Sequence, residues 1–490
     1  MCGIYFLFDK NKTFLSNILD NLRSIQHRGH DSYGLIGRNI GKCLMSLRLY
    51  QKGKIEINQK DIETNRYHMF LCHLRYKTSG LKSENGNQPI SSRNKFGKFN
   101  FVFNGNIPCN EYSQEYTLDT TMIKEFFERD NDVDCWEDLL IRFVNRFQRA
   151  YSIILVTESN KLFLLKDRYG VRPLCYSYSS SNQQLEIASE SVGISLQQPD
   201  KEKILEVDAG EILEFNLDNI NKPKEVYNFN KDKRINPNFG GKCIFEYIYF
   251  LNPQSNWNNL EVSNIRNKWA ESLASTDKEW INEGSVADFI VIGIPSTGIE
   301  PGKAYANKLE ISYSQGITKN PNINRTFILS AEERDQVSKK KYIFDKSIIA
   351  DKEVIIIDDS IVRGVTMRNL VSSIYEHGAK GVHIRIISPT ITDICKYGID
   401  IPTHEELIAT NKTIPEMTEY FGASSLKFLD IESLLETIDP YINKDTICSG
   451  CFGGTYNDVD IEDLVIKPTP KQIANQYLST LSNELPCRIS

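Results

Sequence analysis

Hydrophobic and polar positions alternate in short runs over the first 228 residues. Residues 4–8, 99–103, 151–156 and 162–165 carry the period-2 pattern or the short apolar run of a strand. Leu15, Ile18, Leu19, Leu22 and Ile25 recur at helical spacing and predict an amphipathic helix near the start. Two more helices are predicted over about 120–128 and 139–147, so this half is α+β with much antiparallel sheet. Residues 229–242 are polar, hold Gly and Pro and lack a period, which marks a linker. Beyond them strands alternate with helices. Strand 289–294 precedes a helix near 303–309, and strand 354–357 precedes a helix over 366–375 and a strand over 382–387. Continuous aliphatic strands alternating with helices predict a parallel sheet covered on both faces. The polar stretch 319–341 is long for a loop in a compact domain and is expected to be a lid or disordered.

A chain of 490 residues accommodates two or three domains. The 58 basic and 64 acidic side chains leave a net charge of −6, which argues against a general nucleic-acid binder. No apolar run reaches the roughly 20 residues that span a bilayer, and the start lacks the charged and apolar regions of a signal peptide. A cytoplasmic location is therefore expected. In such a reducing compartment the 11 cysteines are expected to be free, catalytic or metal-bound.

Cys2 draws attention first. Removal of Met1 would leave a cysteine with both a thiol and an α-amino group, an amine of pKa roughly 7.7–8.0 that can serve as base for its own thiol. Three further segments bear on it. Gln26-His27-Arg28-Gly29-His30-Asp31 contains a glycine that permits close backbone approach. His73-Leu74-Arg75-Tyr76-Lys77-Thr78 offers an arginine that can fork onto a carboxylate. Phe103-Asn104-Gly105-Asn106 sets an amide side chain beside a glycine N–H, the parts of an oxyanion hole. Taken singly, these are equally a polar turn, a surface arginine and a hairpin turn.

Together with the starting MCGI, and with Lys166–Leu174 and Ala188–Ser191, they resemble the glutaminase domain of class II, N-terminal-nucleophile amidotransferases. The resemblance covers 2–228 and implies a four-layer αββα sandwich. It implies that Cys2 is the nucleophile, that Asn104 and Gly105 stabilise the oxyanion, and that Gly29, Arg75, Thr78 and Asp119 line the glutamine pocket. Arg75 would take the α-carboxylate and Asp119 the α-ammonium. Phe103 departs from the histidine that many relatives carry there.

In the second half, the strand 354–357 runs into Asp358-Asp359-Ser360-Ile361-Val362-Arg363-Gly364-Val365-Thr366. An acidic pair at a strand's carboxyl end, followed by small and hydroxyl residues entering a helix, suits a phosphorylated sugar with a cation. This segment resembles the 5-phosphoribosyl-1-pyrophosphate (PRPP) signature of type I phosphoribosyltransferases, an α/β fold with a mainly parallel sheet. The resemblance implies that Asp358 and Asp359 contact the ribose hydroxyls and Mg²⁺, that Ser360 to Thr366 hold the 5′-phosphate, and that Thr297 approaches the metal. It also implies that Lys319 and Arg325 belong to a loop closing over PRPP. Ser296 stands where relatives often carry an acidic residue, and 321–324 depart from the usual loop pattern.

Cys448-Ser449-Gly450-Cys451 by itself fits structural thiols or half a zinc site equally well. A glutaminase half joined to a PRPP-binding half resembles the glutamine PRPP amidotransferase family, whose matching segments include Cys243–Phe250 and 397–402. Some members hold a 4Fe–4S cluster, and the resemblance implies Cys243, Cys395, Cys448 and Cys451 as its ligands here. Further implications are glutamine and PRPP as substrates, 5-phosphoribosylamine as product in purine synthesis, purine nucleotides as inhibitors, and a homotetramer. The boundaries expected are 2–228 for the glutaminase domain, 229–242 for the linker, 243–470 for the phosphoribosyltransferase domain and 471–490 for a tail. The competing expectation, prompted by Ser296 and the altered loop, is a catalytically weakened PRPP- or nucleotide-binding regulator.

Overall fold

The protein is described from a computed structural model covering residues 1–40, 47–57, 66–76, 86–109, 116, 118–129, 132–195, 203–231, 241–320, 341–399 and 403–454. Thr78, Arg325, residues 321–324 and the tail 471–490 lie outside the described residues.

Two antiparallel sheets build the first half. One runs in the order Leu205–Glu206, Cys175–Ser179, Gln184–Ala188, Gly3–Phe14, Arg66–Arg75, Ser32–Arg38, Leu47–Lys52. The other runs Lys224–Asn228, Glu211–Asn216, Lys161–Lys166, Ala150–Thr157, Gly97–Asn106, Ile90–Asn94. Alternation along each strand divides its side chains between two cores. Ile4, Phe6 and Phe8 meet Val102, Ile154 and Val156 between the sheets. Tyr5 and Leu7, on the opposite face, pack with Ile18, Leu19 and Leu22 of the helix Ser16–Ser24. On the far side Phe99, Phe101, Ile153 and Leu155 pack with helices Asp119–Arg129 and Trp136–Arg146. The result is the helix–sheet–sheet–helix sandwich expected. A one-residue slip in any of these strands would exchange the two cores, so the register is tightly specified.

The second half centres on a five-stranded parallel sheet ordered Ser312–Tyr313, Phe289–Gly293, Glu353–Asp358, Gly381–Ile386, Ser425–Phe428. Both faces are covered: Ile290, Ile292, Val354 and Ile356 join one core, and Val291, Ile355 and Ile357 join the other. The helix expected from residue 303 begins earlier, as Ile299–Leu309. Pro301 falls in its first turn, where a missing N–H costs nothing because that donor has no partner within the helix. Within the expected linker, Phe229 is buried and its N–H donates to the Gly210 carbonyl at 2.9 Å. The Gly241 N–H donates to the Tyr169 carbonyl at 2.7 Å. Both ends of that segment are thus tied to the first half. Among the described residues, no helix is long and apolar enough to cross a membrane.

Candidate functional site

Cys2 lies at the start of the strand Gly3–Phe14, one residue before its pairing with Arg66–Arg75 begins at Gly3 and Leu74. Its N–H donates to Asn104 Oδ1 at 3.1 Å, and its Sγ lies 3.8 Å from the Tyr76 carbonyl oxygen. Asn104 is buried, on Gly97–Asn106, and its Nδ2 has no hydrogen-bond partner. A buried amide donor left open beside a thiol is costly unless a ligand oxygen takes it. A side chain on Gly105 would start 2.5 Å from the Ala150 carbonyl oxygen, so this point of the strand tolerates only glycine. The amine of Met1 is pushed down from 8.0 to about 5, chiefly by burial.

Gly29 follows the turn Gln26–Arg28 and brings backbone against backbone: a Cβ there would lie 2.4 Å from the Leu74 carbonyl carbon. Asp31 N–H donates to the Arg75 carbonyl at 3.1 Å, which fixes this turn beside the end of the Arg66–Arg75 strand. Arg75 reaches Asn87 Oδ1 at 3.4 Å and packs over Gly86. Asp119 opens its helix, and burial raises its carboxyl to about 6 against the opposing pull of backbone N–H groups and of Arg75. Cys2, Asn104, Gly105, Gly29, Arg75 and Asp119 therefore belong to neighbouring elements of one region. His73, also buried, is pushed down to about 3 by burial and stays neutral. Phe103 takes its place in the aromatic core under helices 119–146, while its backbone pairs with Gln88.

At the second site Asp358 ends the central strand Glu353–Asp358, and Asp359 is buried. Asp359 N–H donates to Asp358 Oδ1 at 3.0 Å, Ser360 Oγ donates to Asp359 Oδ1 at 2.6 Å, and Thr297 Oγ1 donates to Asp359 Oδ2. Thr297 is held there because Ile294 N–H bonds the Ile357 carbonyl at 2.9 Å and Gly298 passes close to that same carbonyl. Burial, then mutual repulsion, raises the Asp358 carboxyl well above its usual range, and burial raises Asp359 as well. Two adjacent carboxylates of this kind, one half-buried and one buried, suit a divalent cation, and Mg²⁺ commonly takes one or two carboxylates together with substrate phosphates. Ile361 is buried, the Val362 carbonyl accepts from Ile408 N–H at 3.0 Å, and Arg363 pairs with Glu406. Gly364 adopts φ +79 and leads into the helix Val365–Glu376, with Val365 and Thr366 exposed in its first turn. Lys319 Nζ donates to Ser296 Oγ at 2.7 Å, so the loop's start meets the segment facing the acidic pair.

The four cysteines singled out share one core. Strands Lys242–Cys243 and Ile447–Cys448 pair in parallel, with Cys243 opposite Cys448. Cys451 is electrostatically coupled to Cys243, Cys395 and Cys448, and all four belong to or pack against one core. Burial and then this crowding push the Cys451 thiol well up. Among the described residues, no three Cys, His, Asp or Glu stand in a metal-binding arrangement. The donor set is nonetheless the four-thiol set that an iron–sulfur cluster takes.

The sequence reading assigned no role to the buried cation Arg28, held by Glu190 and Glu246, nor to Arg266 beside the second site. The available signal was a charge embedded in an apolar run, as in Cys243-Ile244-Phe245-Glu246-Tyr247.

Two family models match the chain: a glutamine amidotransferase domain over residues 73–195 and a phosphoribosyl transferase domain over residues 259–391. An amidophosphoribosyltransferase of Methanocaldococcus jannaschii is 29% identical over 95% of this chain and 99% of its own length. One of Methanothermobacter thermautotrophicus is 30% identical over 93% of this chain and 94% of its own length. The solved glutamine PRPP amidotransferase from Bacillus subtilis, complexed with ADP and GMP, superposes with a TM-score of 0.76 at 28% identity. That match covers 93% of this chain and 97% of the other. Two catalytic halves in this order, matched over nearly the whole length, place the chain among the amidophosphoribosyltransferases, pentosyltransferases with a glutamine amidotransferase domain that catalyse the first step of purine biosynthesis.

Proposed function

We propose that Cys2, freed of Met1, is the glutaminase nucleophile of this enzyme, and that the acidic pair Asp358–Asp359 anchors PRPP. The observation that carries the first assignment is the open Asn104 Nδ2 donor beside a cysteine whose own N–H bonds the same amide. In this reading the α-amino group takes the thiol proton, and Sγ attacks the side-chain amide carbon of glutamine. Asn104 Nδ2 and the Gly105 N–H receive the oxyanion. The C–N bond breaks, the amine returns the proton to the leaving nitrogen, and ammonia departs from a thioester. Water then hydrolyses the thioester to glutamate. Arg75 would hold the substrate's carboxylate and Asp119 its ammonium, with Gly29 and Thr78 lining the pocket.

At the second site Asp358 and Asp359 would hold the ribose hydroxyls and, with Thr297, Mg²⁺. When bound, the metal neutralises charge on pyrophosphate. Ser360 to Thr366 would cradle the 5′-phosphate with loop N–H groups, and Lys319 and Arg325 would close over the substrate. Ammonia attacks the ribose C1 as pyrophosphate leaves, and water must be excluded on the way because ammonium has no lone pair to donate. Cys243, Cys395, Cys448 and Cys451 would hold a 4Fe–4S cluster with a structural task. The division at 229–242, inhibition by purine nucleotides, a homotetramer and a cytoplasmic location complete the reading.

Cys2→Ala tests it. We expect glutamine-dependent phosphoribosylamine formation to be lost, while ammonia-dependent pyrophosphate release persists near the wild-type rate. Retained glutamine-dependent turnover would show that another residue is the nucleophile. A wild type that releases no pyrophosphate with either nitrogen source would instead support a regulatory role.

A further inference from the structure

Behind Cys2 lies a buried ion cluster that joins the two halves. The Arg28 side chain is fully buried, and its Nε donates to the Cys2 carbonyl at 3.1 Å. Its Nη1 meets Glu190 Oε1 at 2.6 Å and its Nη2 meets Glu246 Oε1 at 3.2 Å. Arg172 Nη1 stands 3.6 Å from that same Glu246 oxygen. Glu246 belongs to the second half and is itself fully buried. It opens the π-helical turn Glu246–Phe250, and Arg266 fixes that turn from behind. Arg266 Nε donates to the Tyr247 carbonyl at 2.7 Å and Nη2 donates to the Leu251 carbonyl at 2.9 Å. Arg266 also acts electrostatically on Asp359 of the acidic pair.

One carboxylate already satisfies the charge of Arg28. Glu190 supplies it, while also holding His27, the Asn252 N–H and the Ser255 hydroxyl. The second carboxylate does something different. A guanidinium is a planar fork, and carboxylates on both Nη atoms leave its Nε edge one orientation. That edge points at the Cys2 carbonyl. Asn104 holds the N–H of Cys2 and Arg28 holds its C=O, so the residue is gripped by both backbone polar groups.

We propose that Glu246 is a positioning residue for the glutaminase reaction: acting through Arg28, it fixes the Cys2 backbone, and hence the thiol, from the phosphoribosyltransferase half. The inference rests on Cys2 being the nucleophile. It makes the glutaminase centre incomplete without a residue from the other catalytic half.

The test uses the full chain and a glutamine-like chloromethyl ketone, which the Cys2 thiolate attacks, forming a C–S bond and expelling chloride. In Glu246→Gln we expect alkylation and glutamine-dependent kcat to fall about 100-fold, with the glutamine KM and ammonia-dependent pyrophosphate release within about twofold of wild type. Glu246→Asp keeps the charge and should recover to within about tenfold of wild type. If Glu246→Gln fails to fold, Glu246→Asp decides alone: slowed alkylation with intact ammonia-dependent activity supports the proposal. Alkylation at the wild-type rate in every folded variant overturns it. So does equal loss of glutamine- and ammonia-dependent activity in both variants, which would mark a purely structural role. A wild type whose Cys2 is not alkylated at all refutes the nucleophile assignment itself, a result distinct from the other two.

Discussion

Asp119 carries a specific pH dependence. Its carboxyl is raised to about 6, chiefly by burial, so the free enzyme holds a partly protonated group near the lower end of the neutral range. The form that can accept an α-ammonium is the carboxylate. The glutamine kcat/KM, which reports the free enzyme, should therefore fall about tenfold per pH unit below about pH 6. A bound ammonium favours the ionised carboxylate, so kcat alone should decline only at lower pH. Asp119→Asn should remove this acid limb and raise the glutamine KM by about 10- to 100-fold, the worth of one charge-assisted hydrogen bond. Glutamate release measured from pH 5 to 8 checks both points, and an unchanged KM would move the ammonium site elsewhere. Local chemistry marked Cys2 and Asn104-Gly105 as candidates, a cysteine beside the start and an Asn-Gly at a strand's end, whereas Asp119 was singled out only through the family resemblance. Arg28 and Glu246 were given no role. Their pairing spans 218 positions, and the apolar run around Glu246 marks a buried charge without naming its partner.

At the scale of elements, strands such as Gly97–Asn106 and Ala150–Thr157 and helices such as Ser16–Ser24 and Trp136–Arg146 were legible from period alone, because one face of each meets a core. The 14-residue helix Val262–Ser275 and the strands Ser32–Arg38 and Glu211–Asn216 were not predicted. The helices Ile414–Phe421 and Ile431–Ile438 were missed, being shorter than the window over which helical period is measured. Their caps were nonetheless written in the chain. Thr413 and Glu416 form a capping box, and Asp430 accepts from Ser433 N–H. The helix Val365–Glu376 shows how an element's start can serve a site. Gly364 precedes it at φ +79, a conformation that side chains disfavour by roughly 1–2 kcal/mol. An added Cβ would also lie 2.6 Å from Ile408 Cδ1 and 2.9 Å from Phe421 Cε1. Gly364→Ala should therefore destabilise this half by about 1–3 kcal/mol. It should also raise the PRPP KM, because the phosphate loop cannot keep its path, while Cys2 alkylation stays at the wild-type rate. Thermal unfolding and PRPP titration of the ammonia-dependent reaction measure the two effects.

At the scale of the molecule, the two halves meet through a few buried contacts that tie remote parts of the chain together. Arg172 Nη2 donates to the Tyr397 carbonyl at 2.8 Å, and Cys395 precedes that residue by two positions. Cys243 lies just past the predicted linker and pairs in register with Cys448. The proposed cluster, bound by all four thiols, would close two large loops of chain. In the unfolded state nothing holds them together, so a group binding all four stabilises the fold by linkage. On the proposed cluster reading, Cys448→Ser should therefore lose iron and acid-labile sulfide together. A loss of about 4 kcal/mol would lower the unfolding temperature of a half of this size by about 10 °C. The fall should be larger for PRPP-dependent activity than for Cys2 alkylation, since all four cysteines belong to or pack against the core beneath the parallel sheet. Anaerobic purification with iron and sulfide assays, followed by calorimetry of wild type and variant, measures each part. Zinc in place of iron, with the same fall in stability, would keep the structural role and replace the metal. An unchanged unfolding temperature would leave the four cysteines as core thiols only.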